Sequence, residues 1–254
     1  MRFAAAAFAT VALAAGAPAL ASTSQRFLVP NEASAAWAGY ALSAPAGGSV
    51  AFTATSGTWR QPSVTCGLSD DQAALAVWVG VGGYPSGAGA LEQIGTAADC
   101  SPAGPPSYYA WYELYPNPPI SFAMKVRPGD VITASVAVKG SGVILELQNR
   151  TRGTTASKRA YVTALDLASA EWVAEAPADC SDTCTALPLA NFGSVTFSNV
   201  SATGNGHAGG VQDTAWSASP IQFVPDGSAA GTCAPVVAGG SFTLAWSALP
   251  TVGC

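Results

Sequence analysis

Beyond residue 36 the chain alternates apolar and polar positions with a period of two, broken at short intervals by Gly, Pro, Asn and Asp. The segments that read as strands are WAGYALS (37–43), SVAFTATSGTWR (49–60), ALAVWVGVG (74–82), GALEQIGT (89–96), YYAWYELY (108–115), SFAMKV (121–126) and DVITASVAV (130–138). GVILELQN (142–149), SKRAYVTA (157–164), AEWVAEA (170–176), FGSVTFSNV (192–200), VQDTAWSA (211–218), PIQFVP (220–225) and SFTLAWSA (241–248) continue the series. Turn clusters such as RPGD (127–130) and NGHAGG (205–210) punctuate it, and no helical period follows. Closely spaced strands without helices predict an all-β chain, a sandwich or a barrel. No interior linker is visible, so residues 37–254 read as one domain.

Alternation also assigns faces. On 108–115, Tyr109, Trp111, Glu113 and Tyr115 point one way, and Tyr108, Ala110, Tyr112 and Leu114 the other. On 170–176, Glu171, Val173 and Glu175 oppose Trp172 and Ala174. One sheet face thus gathers acids and aromatics without an evident apolar stripe, which predicts a ligand groove.

Residues 1–21 read as an export signal: Arg2, an Ala-rich apolar run broken by Gly16 and Pro18, then a small-residue cleavage site at Ala19-Leu20-Ala21. A secreted mature chain is expected, with a short arm (22–36) before the domain. Net charge is −5, from 10 Lys and Arg against 15 Asp and Glu, which disfavours nucleic acid and anionic membranes as partners. Few cations and a single His207 also leave little self-repulsion to build up in acid, so the composition suits an acidic medium. Six cysteines in an exported chain predict three disulfides. Proximity favours Cys180–Cys184, Cys233–Cys254 and, by remainder, Cys66–Cys100, although 15 pairings are open. No metal site is expected, because CxxC spacing is missing and one histidine is too few. Nothing marks an oligomer, so a monomer is the default.

Common hydrolytic motifs are missing: no GxSxG, no HExxH, and only His207, in a Gly-rich loop, to serve a serine triad. Carboxylate chemistry remains. Glycoside hydrolysis would need two acids, such as Glu171 with Glu113 or Glu175, with aromatics stacking on sugar. Peptide hydrolysis in acid needs one carboxylate to activate water and one neutral donor for the oxyanion. Gln93 offers an amide that is neutral at every pH, with Leu91 and Gly95 on its strand face. A non-catalytic carbohydrate-binding module is a third reading.

The ordered set WAGY, VWVGVGG (77–83), EQIGT (92–96), YYAWYELYP (108–116), RPGD, ASAEWVAEAP (168–177) and PLANFGSVTF (188–197) resembles the glutamic endopeptidases, or eqolisins. The resemblance implies a secreted acid protease on a two-sheet, antiparallel, concanavalin A/lectin-like β-sandwich, acting on polypeptide without a metal or organic cofactor. It further implies Glu171 and Gln93 as the catalytic pair and Trp37, Trp78, Trp111, Glu113 and Tyr115 as substrate-binding residues. Glu175 falls on a second acid of the same segment, in a supporting place. Three departures bear on specificity: Gly82, Ala97 and Tyr109 stand where relatives carry acids, and Asp99 lies two residues past Ala97. Only the 15 residues 22–36 separate the signal from Trp37, so no long pro-segment is expected.

Overall fold

Val131–Lys139 shows how the chain builds its sheets: alternate residues of VITASVAVK are buried and the others lean outward. A strand that hides one face needs a layer to hide it against, and here that layer is a second sheet. The computed structural model describes residues 25–26, 36–67, 72–85, 89–102, 104–179, 185–224, 231–232 and 236–248. The expected signal at 1–21, most of the arm at 22–36, and Cys180, Cys184, Cys233 and Cys254 lie outside the described residues.

Two antiparallel sheets form a sandwich. In the seven-stranded sheet the order is Ser217–Ile221, Trp37–Ser43, Ser169–Glu175, Ala74–Val81, Leu91–Ser101, Gly104–Tyr115 and Ile120–Lys125. In the other the path is Thr154–Tyr161, Gly142–Asn149, Val131–Lys139, Phe52–Arg60, Ser194–Gly204, Ser241–Ser247 and Gly231–Thr232, with His207–Gly209 and Val236–Ala238 paired alongside. Gln25–Arg26 pairs with Ala178–Asp179 in a small separate sheet. Cys66 and Cys100 are joined, tying the far end of Leu91–Ser101 to the segment that follows Phe52–Arg60.

Large aromatics lock the layers together. The Trp59 indole N–H, from one sheet, donates to Thr96 Oγ1 of the other at 3.1 Å, and Trp172 returns the favour to the Ser56 carbonyl at 2.8 Å. Tyr40 and Phe242 meet edge to face across the gap at 4.9 Å, and Phe242 stacks on Phe197 at 5.1 Å. Each fully buried tryptophan removes on the order of 200 Å² from water, worth about 5 kcal/mol before conformational entropy is subtracted. Both indole N–H groups being satisfied, that burial carries no polar penalty.

Several boundaries differ from the expected ones, each for a local reason. Gly104–Tyr115 begins ahead of residue 108, because the register resumes at Gly104 opposite Ser101 across an irregularity that holds Pro105 and Pro106. Ser194–Gly204 runs past residue 200 because a bulge between Ser198 and Ser201, with Asn199 at φ 50°, lets the ladder restart. Thr154–Tyr161 starts and stops three residues early, where its partner Gly142–Asn149 begins and ends. Residues 211–216 form a turn rather than a strand. Asp213 Oδ1 accepts the Ala215 N–H there, and Asp213 Oδ2 meets His207 Nε2 at 2.8 Å. Ser217–Ile221 then spans Pro220, which is tolerated because this is an edge strand paired only with Trp37–Ser43.

The RPGD turn is explained by one acid. Asp130 is buried and its Oδ2 accepts from the Arg127 N–H at 2.9 Å, the Asn149 amide at 2.8 Å and the Arg152 guanidinium at 2.6 Å. Asn149 also donates to the Lys125 carbonyl and has no exposed surface. Although burial opposes it, these hydrogen bonds hold the Asp130 carboxyl below its usual 3.8. Its stabilisation is therefore present above that value and is lost as pH falls through the lowered folded value. Asp130→Asn is expected to lower stability by about 2 kcal/mol at pH 6 and by much less at pH 2, as read by urea unfolding at both.

Candidate active site

Strand register brings the candidate residues into one row across the outer face of the seven-stranded sheet. Glu171 pairs with Ala41 on one side and Gly80 on the other; Gly80 pairs with Gln93, and Gln93 with Glu113. Glu171 and Gln93 therefore stand two strand spacings apart, about 9.5 Å between Cα atoms. The intervening residue has no side chain, so theirs can converge over it. A Cβ on Gly80 would lie 2.9 Å from Trp78 and from Leu91, and 3.4 Å from Glu171 Oε2. The Glu171 carboxyl thus leans over Gly80, toward the strand of Gln93.

Gln93 is oriented from its other side. Its Nε2 donates to Glu113 Oε2 at 2.6 Å. An ionised carboxylate only accepts, so this contact turns the amide NH₂ toward Glu113 and leaves the second N–H of the same nitrogen for another acceptor. Along the face, the Trp78 indole donates to Glu175 Oε2 at 2.8 Å and meets Trp37 edge to face at 4.7 Å. Glu175 thereby fixes the ring that borders Gly80. Trp78 itself pairs with Gly95, where a Cβ would fall 2.6 Å from the Trp78 Cβ; only glycine allows this approach.

The face is not the open, stripe-less groove that alternation alone predicts. Trp37, Ala41, Ala76, Trp78, Leu91, Ala97, Trp111, Val173 and Ile221 form a second apolar cluster on it, with Tyr84, Tyr109 and Tyr115 packed at its margin. Glu171, Gln93, Glu113 and Glu175 are all fully buried within it. Tyr108, Ala110, Tyr112, Leu114, Trp172 and Ala174 face the other way, into the inter-sheet core, as their phase requires.

Burial dominates the electrostatics. The Glu171 carboxyl is pushed well above its usual 4.5, chiefly by desolvation; nearness of Ser169 opposes this, and the charges of Asp166 and Glu92 reinforce it. Among the described residues neither Glu171 oxygen is held in ordinary hydrogen-bonding geometry, so both are available to a reactant. Glu92, next to Gln93 but pointing into the sandwich, is 1% exposed and pushed up to about 8 by burial and by Asp166. Asp166 comes from the linker before Ser169–Glu175, where its Oδ2 accepts the Gly83 N–H at 3.0 Å and its Oδ1 the Ala168 N–H at 2.9 Å. It packs against Gly82, one of the positions where an acid is missing from the sequence: a Cβ there would meet the Asp166 carbonyl at 2.5 Å. An acid from another segment thus stands beside that gap. Tyr109, another such position, hydrogen-bonds Asp99 Oδ1 at 3.4 Å, and burial followed by the Asp99 charge raises its phenol far above the normal range.

Every sequence-predicted site residue except the four cysteines noted above is described, and all eight non-cysteine residues lie on this face. Glu92 and Asp166 were not anticipated. Glu92 had a signal, an acid in the inward phase of its strand; Asp166, in a linker without periodicity, had none.

Comparisons with known proteins agree with this fold. The Peptidase A4 family model matches residues 35–239. Aspergillopepsin-2 of Aspergillus niger is 28% identical over 221 residues, 78% of this chain and 73% of that protein. In structure, the chain is similar to scytalido-glutamic peptidase bound to a transition state analog inhibitor, with a TM-score of 0.70 at 25% identity over 85% of this chain and 100% of that one. Aspergilloglutamic peptidase from Aspergillus niger gives a TM-score of 0.58 at 30% identity over 68% of this chain and 99% of that one.

Because the folded state holds the Glu92 proton up to about pH 8 and the unfolded chain only to about 4.5, its contribution is fully present below 4.5 and declines as pH rises toward 8. Over the span to pH 7 the loss is about 3 kcal/mol. Glu92→Gln, which stays neutral, is expected to flatten that decline in denaturant titrations at pH 4 and 7; an unchanged pH dependence would refute the assignment.

Proposed function

Because the chain belongs to the Peptidase A4 family and is a glutamic-type peptidase, we propose that Glu171 and Gln93 form its catalytic pair and that it cleaves polypeptides in an acidic, extracellular medium. The observation that carries this reading is the row of Glu171, Gly80, Gln93 and Glu113. It places a carboxyl and an oriented amide on either side of a position without a side chain. A peptide carbonyl laid over Gly80 would have both within reach.

In the proposed reaction, Glu171 takes a proton from water as the water oxygen attacks the carbonyl carbon. The carbonyl oxygen becomes an oxyanion and accepts the Gln93 N–H that is not given to Glu113. The intermediate then collapses: the C–N bond breaks, and Glu171 returns the proton to the leaving nitrogen. One product ends in a carboxyl group, the other begins with an amine, and the enzyme is restored. Trp37, Trp78, Trp111 and Tyr115 wall the cleft and bind the polypeptide. Glu113 and Glu175 act on Gln93 and Trp78 in place of touching the scissile bond.

Burial as it stands favours protonated Glu171, whereas the base must be ionised. Water and the polar substrate backbone supply the solvation that the closed face lacks, and the acid limb of the rate profile reports the result. The proposed optimum is therefore in mild rather than extreme acid. The glycosidase reading receives no such support, since Gln93 stands between Glu171 and Glu113 and occupies an oxygen of the latter.

Digestion of an acid-unfolded protein from pH 2 to 7, with chelator and pepstatin present, tests the pair. Gln93→Ala is expected to lose about 10²–10³-fold in kcat, as for other single oxyanion donors, and Glu171→Gln to fall to background. Normal turnover by either folded variant would remove that residue from the chemistry.

The pH profile offers a separate check. Activity rises as Glu171 ionises, and the Asp166 charge raises the pH at which it does so. Asp166→Asn is expected to move the acid limb of kcat/KM to lower pH, with the fold retained by circular dichroism. A limb that stays in place would mean that Asp166 has no electrostatic part.

A further inference from the structure

Behind the strand of Gln93 lies a cavity of about 200 Å³ that the reaction above does not use. Glu92 forms its floor, with Leu114, Tyr115, Asn117, Tyr161 and Thr163 among its walls. The floor is buried and the rim is open: Asn117, Tyr161 and Thr163 are exposed. Glu92 lies between Val81 and Leu114 in the ladder, two apolar neighbours, and among the described residues its Oε2 has no hydrogen-bond partner. With no protein partner, that oxygen is left for whatever enters the cavity, a solvent molecule or a ligand group. The site also adjoins the cleft. Tyr115 lines the cavity and packs at the margin of the cleft cluster, opposite Leu91 in the ladder.

We propose that this cavity is a subsite for a carboxamide-bearing side chain of the polypeptide substrate, glutamine or asparagine, seated with its amide against the Glu92 carboxyl beyond Tyr115. The inference rests on the peptidase reading of the neighbouring cleft. An un-ionised carboxyl presents one O–H donor beside one carbonyl acceptor, and a primary amide presents the complementary acceptor and donor in the same plane. Glu92 is in that form throughout the acid range, because burial and the Asp166 charge hold its proton up to about pH 8. Volume agrees: the cavity holds the equivalent of about six or seven waters, suited to a side chain and too small for a folded partner. Asp166 disfavours an anionic occupant. An aliphatic side chain would fit but would leave Oε2 unpaired.

Two measurements test this and separate it from the reading it rests on. The first maps the residues flanking the bonds cut by the full-length protein in a mixture of acid-unfolded proteins at pH 4. Glutamine and asparagine are expected to be enriched about fivefold over leucine and methionine at one fixed position from the cut. Glu92→Leu should abolish that ratio, and Glu92→Gln, which keeps a donor and an acceptor, should preserve it. The second measures binding of N-acetylglutaminamide and of N-acetylnorleucinamide to the Glu171→Gln protein by calorimetry at pH 4, with and without Glu92→Leu. About tenfold tighter binding of the glutamine compound, lost in the double variant, supports the subsite even if no cleavage occurs and the peptidase reading fails. Cleavage without any enriched position, an enrichment that survives Glu92→Leu, or equal binding of the two amides would overturn it.

Discussion

Placing an ionisable carboxyl on a sheet face removed from water, with no cation beside it among the described residues, is the constraint from which the rest of the site follows. Glu171 is fully buried, and among the described residues neither of its oxygens is tied down. Such a group holds its proton tightly, and becomes a strong base once it is ionised. For chemistry the carboxyl must then be aimed, and the structure aims it by subtraction. Gly80 leaves a gap that Trp78, Leu91 and the carboxyl itself border. On the far side Glu113 holds the Gln93 amide, so a carboxyl and an amide flank one missing Cβ.

Such a row survives only on a rigid support. Ser169–Glu175 and Ala74–Val81 are buried along their whole length, on both faces. The inner face of Ser169–Glu175 is locked to the second sheet through Trp172, that of the neighbouring Leu91–Ser101 through Trp59, and the outer face is packed by a second apolar cluster. The carboxyl of Glu175 belongs to that support, because it sets Trp78 rather than meeting a substrate. Precision of a few tenths of an ångström at Gly80 depends on these neighbours having nowhere else to go.

The same materials favour the fold over the unfolded chain as pH falls. Carboxyls that keep their protons in the fold, Glu92 and Glu171, favour the native state as the medium becomes acidic, and few cations are present to repel one another. Asp130 is the counterweight. It stays charged in acid by gathering three donors, Arg152 among them, around a single oxygen. Charge is thus retained where a turn must be held, and suppressed where burial is wanted.

Period-two alternation is sufficient for an all-β chain, and for the faces of Gly104–Tyr115 and Ser169–Glu175, because side-chain direction along a strand is a local property; the choice of sandwich over barrel came from the family resemblance. It also put Glu171 and Gln93 on candidate lists, since a carboxyl and an amide in otherwise apolar strands are conspicuous. The turn at RPGD stayed legible as local chemistry, whereas Cys66 with Cys100, 34 residues apart, followed only by remainder from the other four cysteines. Local pattern failed at Ser217–Ile221, where tolerance of Pro220 depends on being at an edge, and at 211–216, where a side-chain-capped turn replaced a strand. It also missed the apolar cluster over the outer face, whose members come from strands distant in sequence. What the sequence by itself determined is which residues point together along each strand. Register between strands is set by the packing of whole faces and by where turns end. Only the tertiary structure therefore decided that Gly80 separates Glu171 from Gln93, that Asp166 stands beside Gly82, and that Glu92 closes a cavity.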